Sequence, residues 1–242
     1  MIDEILNIYA FYPTSDLDAR SGAMAFQTVA ARLSDLTPWL QDLRFGRAEA
    51  GGADVLVPDF PDRISSWNER YLRDFPDEDE GISIAATTPK FEAQFGQEIS
   101  ASVSFSWAYR GQMDLIQISL PIPSAERDQG IPTLQAIVRV LAERPGCLQI
   151  FSMPSEMIFE GRAFPGFQTS GTGIWLCADI SGIDLSDAFA VEPIMGGTLI
   201  LPVDHVFNLD EKDQLERVAE IDALLAERGI LPTLGDYPVI SF

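Results

Sequence analysis

The sequence predicts an α+β fold: a mixed, largely antiparallel sheet covered by helices, in a single domain spanning residues 1–242. Three observations carry this. Residues 97–120 form two alternating runs around a tight Arg110-Gly111-Gln112 turn, the pattern of an antiparallel hairpin. Helical and strand periodicities are interspersed along the chain, without the strict alternation of a parallel α/β sheet. Neither an internal repeat nor a linker-like composition divides the chain, and 46% of its residues are hydrophobic, enough for a sizeable core.

The elements follow in order. Residues 5–12 read as a first strand, stopped by Pro13, and Ser15 or Asp16 is positioned to cap the helix that follows. Phe26, Val29, Ala30 and Leu33 share one face of that helix. Thr37-Pro38 breaks it, and Pro38 suits the first position of a short second helix carrying Trp39, Leu40 and Leu43. Residues 46–52 read as a loop. A helix opening at Pro61-Asp62 places Ile64, Trp67, Tyr71, Leu72 and Phe75 at helical spacing before Pro76.

The hairpin comes next. Ile99, Ala101, Val103, Phe105, Trp107 and Tyr109 form an apolar face opposite a serine face, and the return strand runs from Met113 to Leu120. Pro132 is expected to start a helix bearing Leu134, Ile137, Val138 and Leu141, closed by Pro145-Gly146. Leu148 to Phe151, Ile174 to Ala178 and Thr198 to Leu201 read as strands, with an irregular segment over 154–171. Asn208 or Asp210 caps a last long helix whose Leu215, Val218, Ile221, Leu224 and Leu225 face the core, and Gly229 ends it.

Charge bounds the function. Asp and Glu number 37 against 16 Lys and Arg, a net charge of −21. Such a surface repels phosphates and anionic membranes and attracts cationic partners, so nucleic-acid binding is disfavoured. No run approaches the roughly 20 apolar residues of a membrane span. The opening Met1-Ile2-Asp3-Glu4 carries acid where a secretory signal carries base, which predicts a cytoplasmic protein. Cys147 and Cys177 lie in separate apolar segments and read as two buried free thiols.

Catalytic signals are sparse. His205 is the one histidine and follows Asp204, an arrangement open to a general base oriented by a carboxylate or to an ordinary helix-entry histidine. No G-x-S-x-G nucleophile turn, phosphate-binding loop or calcium loop is present. Gly171-Thr172-Gly173 and Gly196-Gly197 precede strands and read as turns. With one histidine and no C-x-x-C pair, neither a metal nor a cofactor is expected. Two acidic concentrations remain as candidate partner-binding residues: Asp74, Asp77, Glu78, Asp79 and Glu80 after the second long helix, and Asp210, Glu211, Asp213, Glu216 and Glu220 on the last one. Each has a plain reading as a solvated face, and acid in a first helical turn also suits the helix dipole.

The order of parts resembles a family. Asn7-Ile8-Tyr9-Ala10-Phe11-Tyr12 leads into a helix ending Ala30-Ala31-Arg32-Leu33, followed by Pro38-Trp39-Leu40. A serine-rich hairpin ends at Leu120-Pro121. Then come Gly173-Ile174-Trp175-Leu176, Gly197-Thr198-Leu199-Ile200 and a final helix ending Arg228-Gly229-Ile230-Leu231. Over most of its length the chain is similar to bacterial immunity proteins of the Imm52 type. The resemblance implies a cytoplasmic antitoxin without catalytic residues, whose partner is a polymorphic or type VI secretion toxin, often a nuclease with a basic surface. Two other readings stand beside it: an acidic anti-restriction or secretion accessory protein, and a carboxylate- or metal-dependent enzyme.

Overall fold

The computed structural model of the chain describes residues 2–45, 54–74, 83–88, 91–92, 98–109, 113–123, 126–158, 168–178, 180 and 182–232. In chain order the elements are β1 (Ile2–Pro13), α1 (Ala19–Ser34), β2 (Arg44–Phe45), α2 (Phe60–Asp74), β3 (Ser83–Thr87), β4 (Phe91–Glu92), β5 (Glu98–Ile99), β6 (Ser102–Tyr109), β7 (Met113–Pro123), α3 (Arg127–Ala142), β8 (Gln149–Pro154), β9 (Gly173–Leu176), β10 (Ala190–Ile194), β11 (Gly197–Leu201) and α4 (Lys212–Glu227). Nine strands order as β10-β11-β9-β8-β1-β7-β6-β3-β2, and β4 pairs with β5 separately. Every strand pairing of described register is antiparallel. The α+β class and the largely antiparallel sheet are those the sequence predicts. By internal contacts the chain falls into two compact units: Met1–Ala10 with Pro121–Phe242, and Phe11–Leu120.

In the unit of residues 11–120, α1 buries Ala23, Phe26, Ala30 and Leu33. Its cap is Asp18, whose carboxylate accepts from Ser21 N at 2.7 Å, not Ser15 or Asp16. Ser15 is used elsewhere: its backbone N–H and its hydroxyl both donate to the buried carboxylate of Asp114 in β7. Gly22 lets α1 approach β6, since a Cβ there would stand 2.5 Å from the Trp107 ring. Thr37 caps a single 3-10 turn, Pro38–Leu40, in place of the predicted second helix. In α2, Ile64 and Trp67 are buried and Tyr71 stacks on Trp67 at 5.3 Å, as the helical spacing requires.

The hairpin of β6 and β7 holds the register Ser102↔Ser119 to Ser106↔Leu115, with an irregularity before Tyr109↔Met113. Val103, Phe105 and Trp107 are buried, while Ser106 donates its hydroxyl to Ser83 of β3 at 2.8 Å. The first strand starts at Ser102 rather than Ile99, which belongs to β5. Residues 110–112 lie outside the described residues, as do the loop at 46–52 and Phe75.

In the unit of residues 1–10 and 121–242, β8 and β9 are buried along their whole lengths. Tyr9 of β1 stacks on Phe151 of β8 at 5.0 Å. Helix α3 begins at Arg127, five residues before the proline expected to start it, so Pro132 lies inside the helix. Tertiary bonds explain the earlier start: Arg127 donates through Nε to Val206 O at 2.8 Å and through Nη2 to the Glu211 carboxylate. Strand β10 was not foreseen. It joins β11 through Met195 (φ 49°) and Gly196 (φ 79°), the two left-handed residues of a type I′ turn. Cys147 is buried but Cys177 is exposed, which corrects the expectation of two buried thiols; Cys177 lies just past the end of β9, where the chain leaves the sheet.

Candidate functional site

Helix α4 carries the candidate surface that the structure describes most fully. Its core face is Val218, Ile221, Asp222 and Leu225; Leu215 and Leu224 are only half-buried. At about 100° per residue, Asp213, Glu216, Glu220 and Glu227 fall within an arc of about 60° on the opposite side. All four are exposed, and none takes part in an ion pair among the described residues. Glu227 escaped the sequence reading, although its spacing of seven from Glu220 would have placed it on the same face. Arg217 borders the stripe and is exposed. Gly229 (φ 66°) ends the helix, with Ile230 N donating to Leu225 O at 2.9 Å in the Schellman pattern.

The entry to α4 departs from expectation. Neither Asn208 nor Asp210 caps the helix. The Asn208 side chain accepts from Asp210 N at 3.0 Å, forming a turn ahead of Glu211, which occupies the cap position. Glu211 itself is withdrawn from the predicted binding face. Its carboxylate accepts from Arg127, from Asn208 N at 3.0 Å and from His205 Nε2 at 2.7 Å. The other ring nitrogen of His205, Nδ1, lies 2.7 Å from the Asp204 carboxylate. Two carboxylate acceptors call for an imidazolium that donates at both ends.

The titration directions agree with that geometry. Burial, the largest influence on His205, pulls its pKa down, but the hydrogen bonds to Glu211 and Asp204 outweigh it and leave the pKa above 6.5. For Glu211 burial pushes upward, and His205, the Asn208 N–H and Arg127 together carry the pKa below 4.5. With both nitrogens engaged, His205 has no free lone pair to act as a base in this arrangement. The cluster is a clasp between the starts of α3 and α4.

Asp210 is exposed and stands just before the helix. Asp74 is the exposed last residue of α2, in the other unit; Asp77, Glu78, Asp79 and Glu80 lie outside the described residues. Asp222 was missed by the sequence reading. It sits on the core face of α4, accepting from Thr169 Oγ1 and Ser170 N, each at 2.7 Å. Among the described residues no group of three or more His, Cys, Asp or Glu side chains is arranged to hold a metal, and no helix is long and apolar enough to cross a membrane.

No protein-family model and no curated protein matches the chain. Among solved structures, the chain is similar to the Pseudomonas aeruginosa T6SS protein PA0821, with a TM-score of 0.50 and 10% identity over 89% of this chain and 73% of that one. At that identity the likeness is one of fold. A second structure is the toxic C-terminal tip of CdiA from Pseudomonas aeruginosa in complex with an immune protein, with a TM-score of 0.35 and 9% identity over 63% of this chain and 86% of that one.

Proposed function

We propose that this chain is an immunity protein of the Imm52 type that binds and neutralises a cognate bacterial toxin in the cytoplasm. It acts by occupying a surface of the toxin and performs no catalysis of its own. The toxin is a nuclease, whose phosphate-holding cleft is basic. The single observation that carries the reading is the unpaired acidic stripe of α4 on a chain of net charge −21. Opposed charges of this size raise association rates by about tenfold to a thousandfold and suppress wrong partners. The fold shared with a type VI secretion protein supports the same setting.

The test is co-expression and co-purification with the product of the adjacent gene. The variant Asp213→Lys, Glu216→Lys, Glu220→Lys and Glu227→Lys, combined in one chain, is expected to slow association about tenfold or more at moderate salt. It is also expected to abolish protection of the cell. Full protection and unchanged binding by this variant would remove the electrostatic part of the reading. A wild-type chain that fails to bind the product would remove the immunity reading itself. Glu211→Gln serves as a control that should alter stability but not partner recognition.

A further inference from the structure

We propose that the outer edge of β10, with the apolar groove beside it, docks an extended basic polypeptide segment that adds to the sheet as a further strand and seats one large apolar side chain. The inference rests on the toxin reading for the identity of the partner; the chemistry of the segment is read from the edge itself.

Strand β10 is the last in the sheet order, and among the described residues only β11 pairs with it. The two-residue turn makes Ile194↔Gly197 the closing hydrogen-bonded pair. Alternation then turns the backbone groups of Ala190, Glu192 and Ile194 toward β11. Val191 and Pro193 present theirs outward, although Pro193 has no N–H to offer. The side chains of Val191 and Pro193 are also exposed, Val191 by 41%, and both wall a groove of about 520 Å³. Ala178, Ile180, Ile183 and Leu185 complete its apolar lining. An added strand would lay alternate side chains beside Val191 and Pro193, within reach of the groove. Peptide recognition by strand addition divides its labour this way: main-chain bonds hold and pockets select.

Charge decides the occupant. Asp184, within the lining segment, and Asp187 just after it are exposed, and among the described residues neither has an ion-pair partner. A basic strand finds complementary charge here; an acidic strand is repelled. A second copy of this chain would bring the same two carboxylates to the same edge.

The experiment uses the full chain and a fluorescein-labelled heptapeptide, Lys-Val-Lys-Phe-Lys-Val-Lys, with its Glu-for-Lys counterpart as control. Anisotropy should show saturable binding of the basic peptide, at least tenfold weaker for the acidic one. Hydrogen exchange should slow in residues 190–194 on binding. Val191→Pro removes the one outward N–H, and Ile183→Lys places a cation in the groove; each should weaken binding at least tenfold, with circular dichroism and the melting temperature confirming that the variants fold. Failure of the basic peptide to bind, binding without protection of 190–194, or binding indifferent to both variants overturns the inference. So does a wild-type dimer that Val191→Pro dissolves, since a second copy would then be the occupant. Run in parallel, the adjacent-gene product separates the two claims. If it binds wild type and both variants alike, the toxin reading stands and the edge inference falls. If it does not bind while the basic peptide passes every test, the edge stands and the toxin reading falls.

Discussion

Replacing Asp222 tests how this unit is held together. The carboxylate lies on the core face of α4, 1% exposed, and ties the helix to residues 169–170 ahead of β9. Alanine removes two hydrogen bonds to a charged acceptor and strands the Ser170 N–H in a dry site. Hydrogen bonds to charged groups contribute about 1.5–3 kcal/mol each, and a stranded buried donor costs about 1–3 kcal/mol. Release of the carboxylate's own burial cost offsets part of this. A net loss of about 3 kcal/mol follows for Asp222→Ala. For a chain of this size that lowers the melting temperature by about 6–12 °C. Asp222→Asn keeps one acceptor oxygen for Ser170 N, while its amide can donate to the Thr169 hydroxyl, so a loss of about 1 kcal/mol is expected. Thermal and urea melts of the three proteins decide it. An alanine variant melting within about 1 °C of wild type, or an asparagine variant as damaged as alanine, would refute the assignment.

Three further outcomes follow from the geometry. The His205 contribution, with its raised pKa, is fully present below 6.5 and is lost as pH rises through the folded-state value; that of Glu211, with its lowered pKa, is present above 4.5 and is lost as pH falls through its own. The clasp therefore supports the fold most between about 4.5 and 6.5, and His205→Gln should flatten the alkaline side of a stability–pH curve measured by urea melts; an unchanged curve would count against it. Gly197→Ala sets a methyl 2.5 Å from both Leu176 O and the Trp175 ring, and should cost about 1–3 kcal/mol, with loss of exchange protection in β10 and β11 as the readout. In binding kinetics with the adjacent-gene product, the α4 reversals should act on the association rate and its salt dependence, whereas Val191→Pro should act on dissociation; both acting on the same constant would argue that the two surfaces are not distinct.

The legible parts of the fold were those where local pattern and tertiary demand coincide. The serine-faced hairpin alternates because one face is core. Helix α2 showed its Trp67–Tyr71 face by spacing alone. The misreadings share a cause: a strong local signal overruled at a distance. Pro132 looked like a helix start, but Arg127, tied to Val206 and Glu211, carries α3 five residues further. Ser15 looked like a cap, but Asp114 claims it. Strand β10 was hidden because Glu192 and Pro193 break an apolar run, as an edge strand permits. At the candidate site, acidity was visible in the sequence, but not which carboxylates are free. Glu211 was counted as surface charge and is bound from three sides; Asp222 was not counted and is core.

That sorting changes what the net charge of −21 means. Buried carboxylates such as Asp222 and Asp114 hold backbone in place, and Glu211 is met by Arg127 and His205. The remaining stripe on α4 contributes little net to its own helix. Glu216 and Glu220 are like charges at i,i+4 and Asp213 and Glu216 at i,i+3, each pairing unfavourable by about 0.2–0.5 kcal/mol, but the opposite charges Asp213 and Arg217 at i,i+4, Lys212 and Glu216 at i,i+4, and Arg217 and Glu220 at i,i+3 offset them. Asp213 suits the positive end of the helix dipole, but Glu227 sits at the negative end, where α4 has no basic residue in its last turn and only Arg228 follows at the cap. Lysine or arginine at 227 would suit that end of the helix better. The stripe is thus close to neutral for its own helix, and it is the proposed basic partner that would give its charge a use.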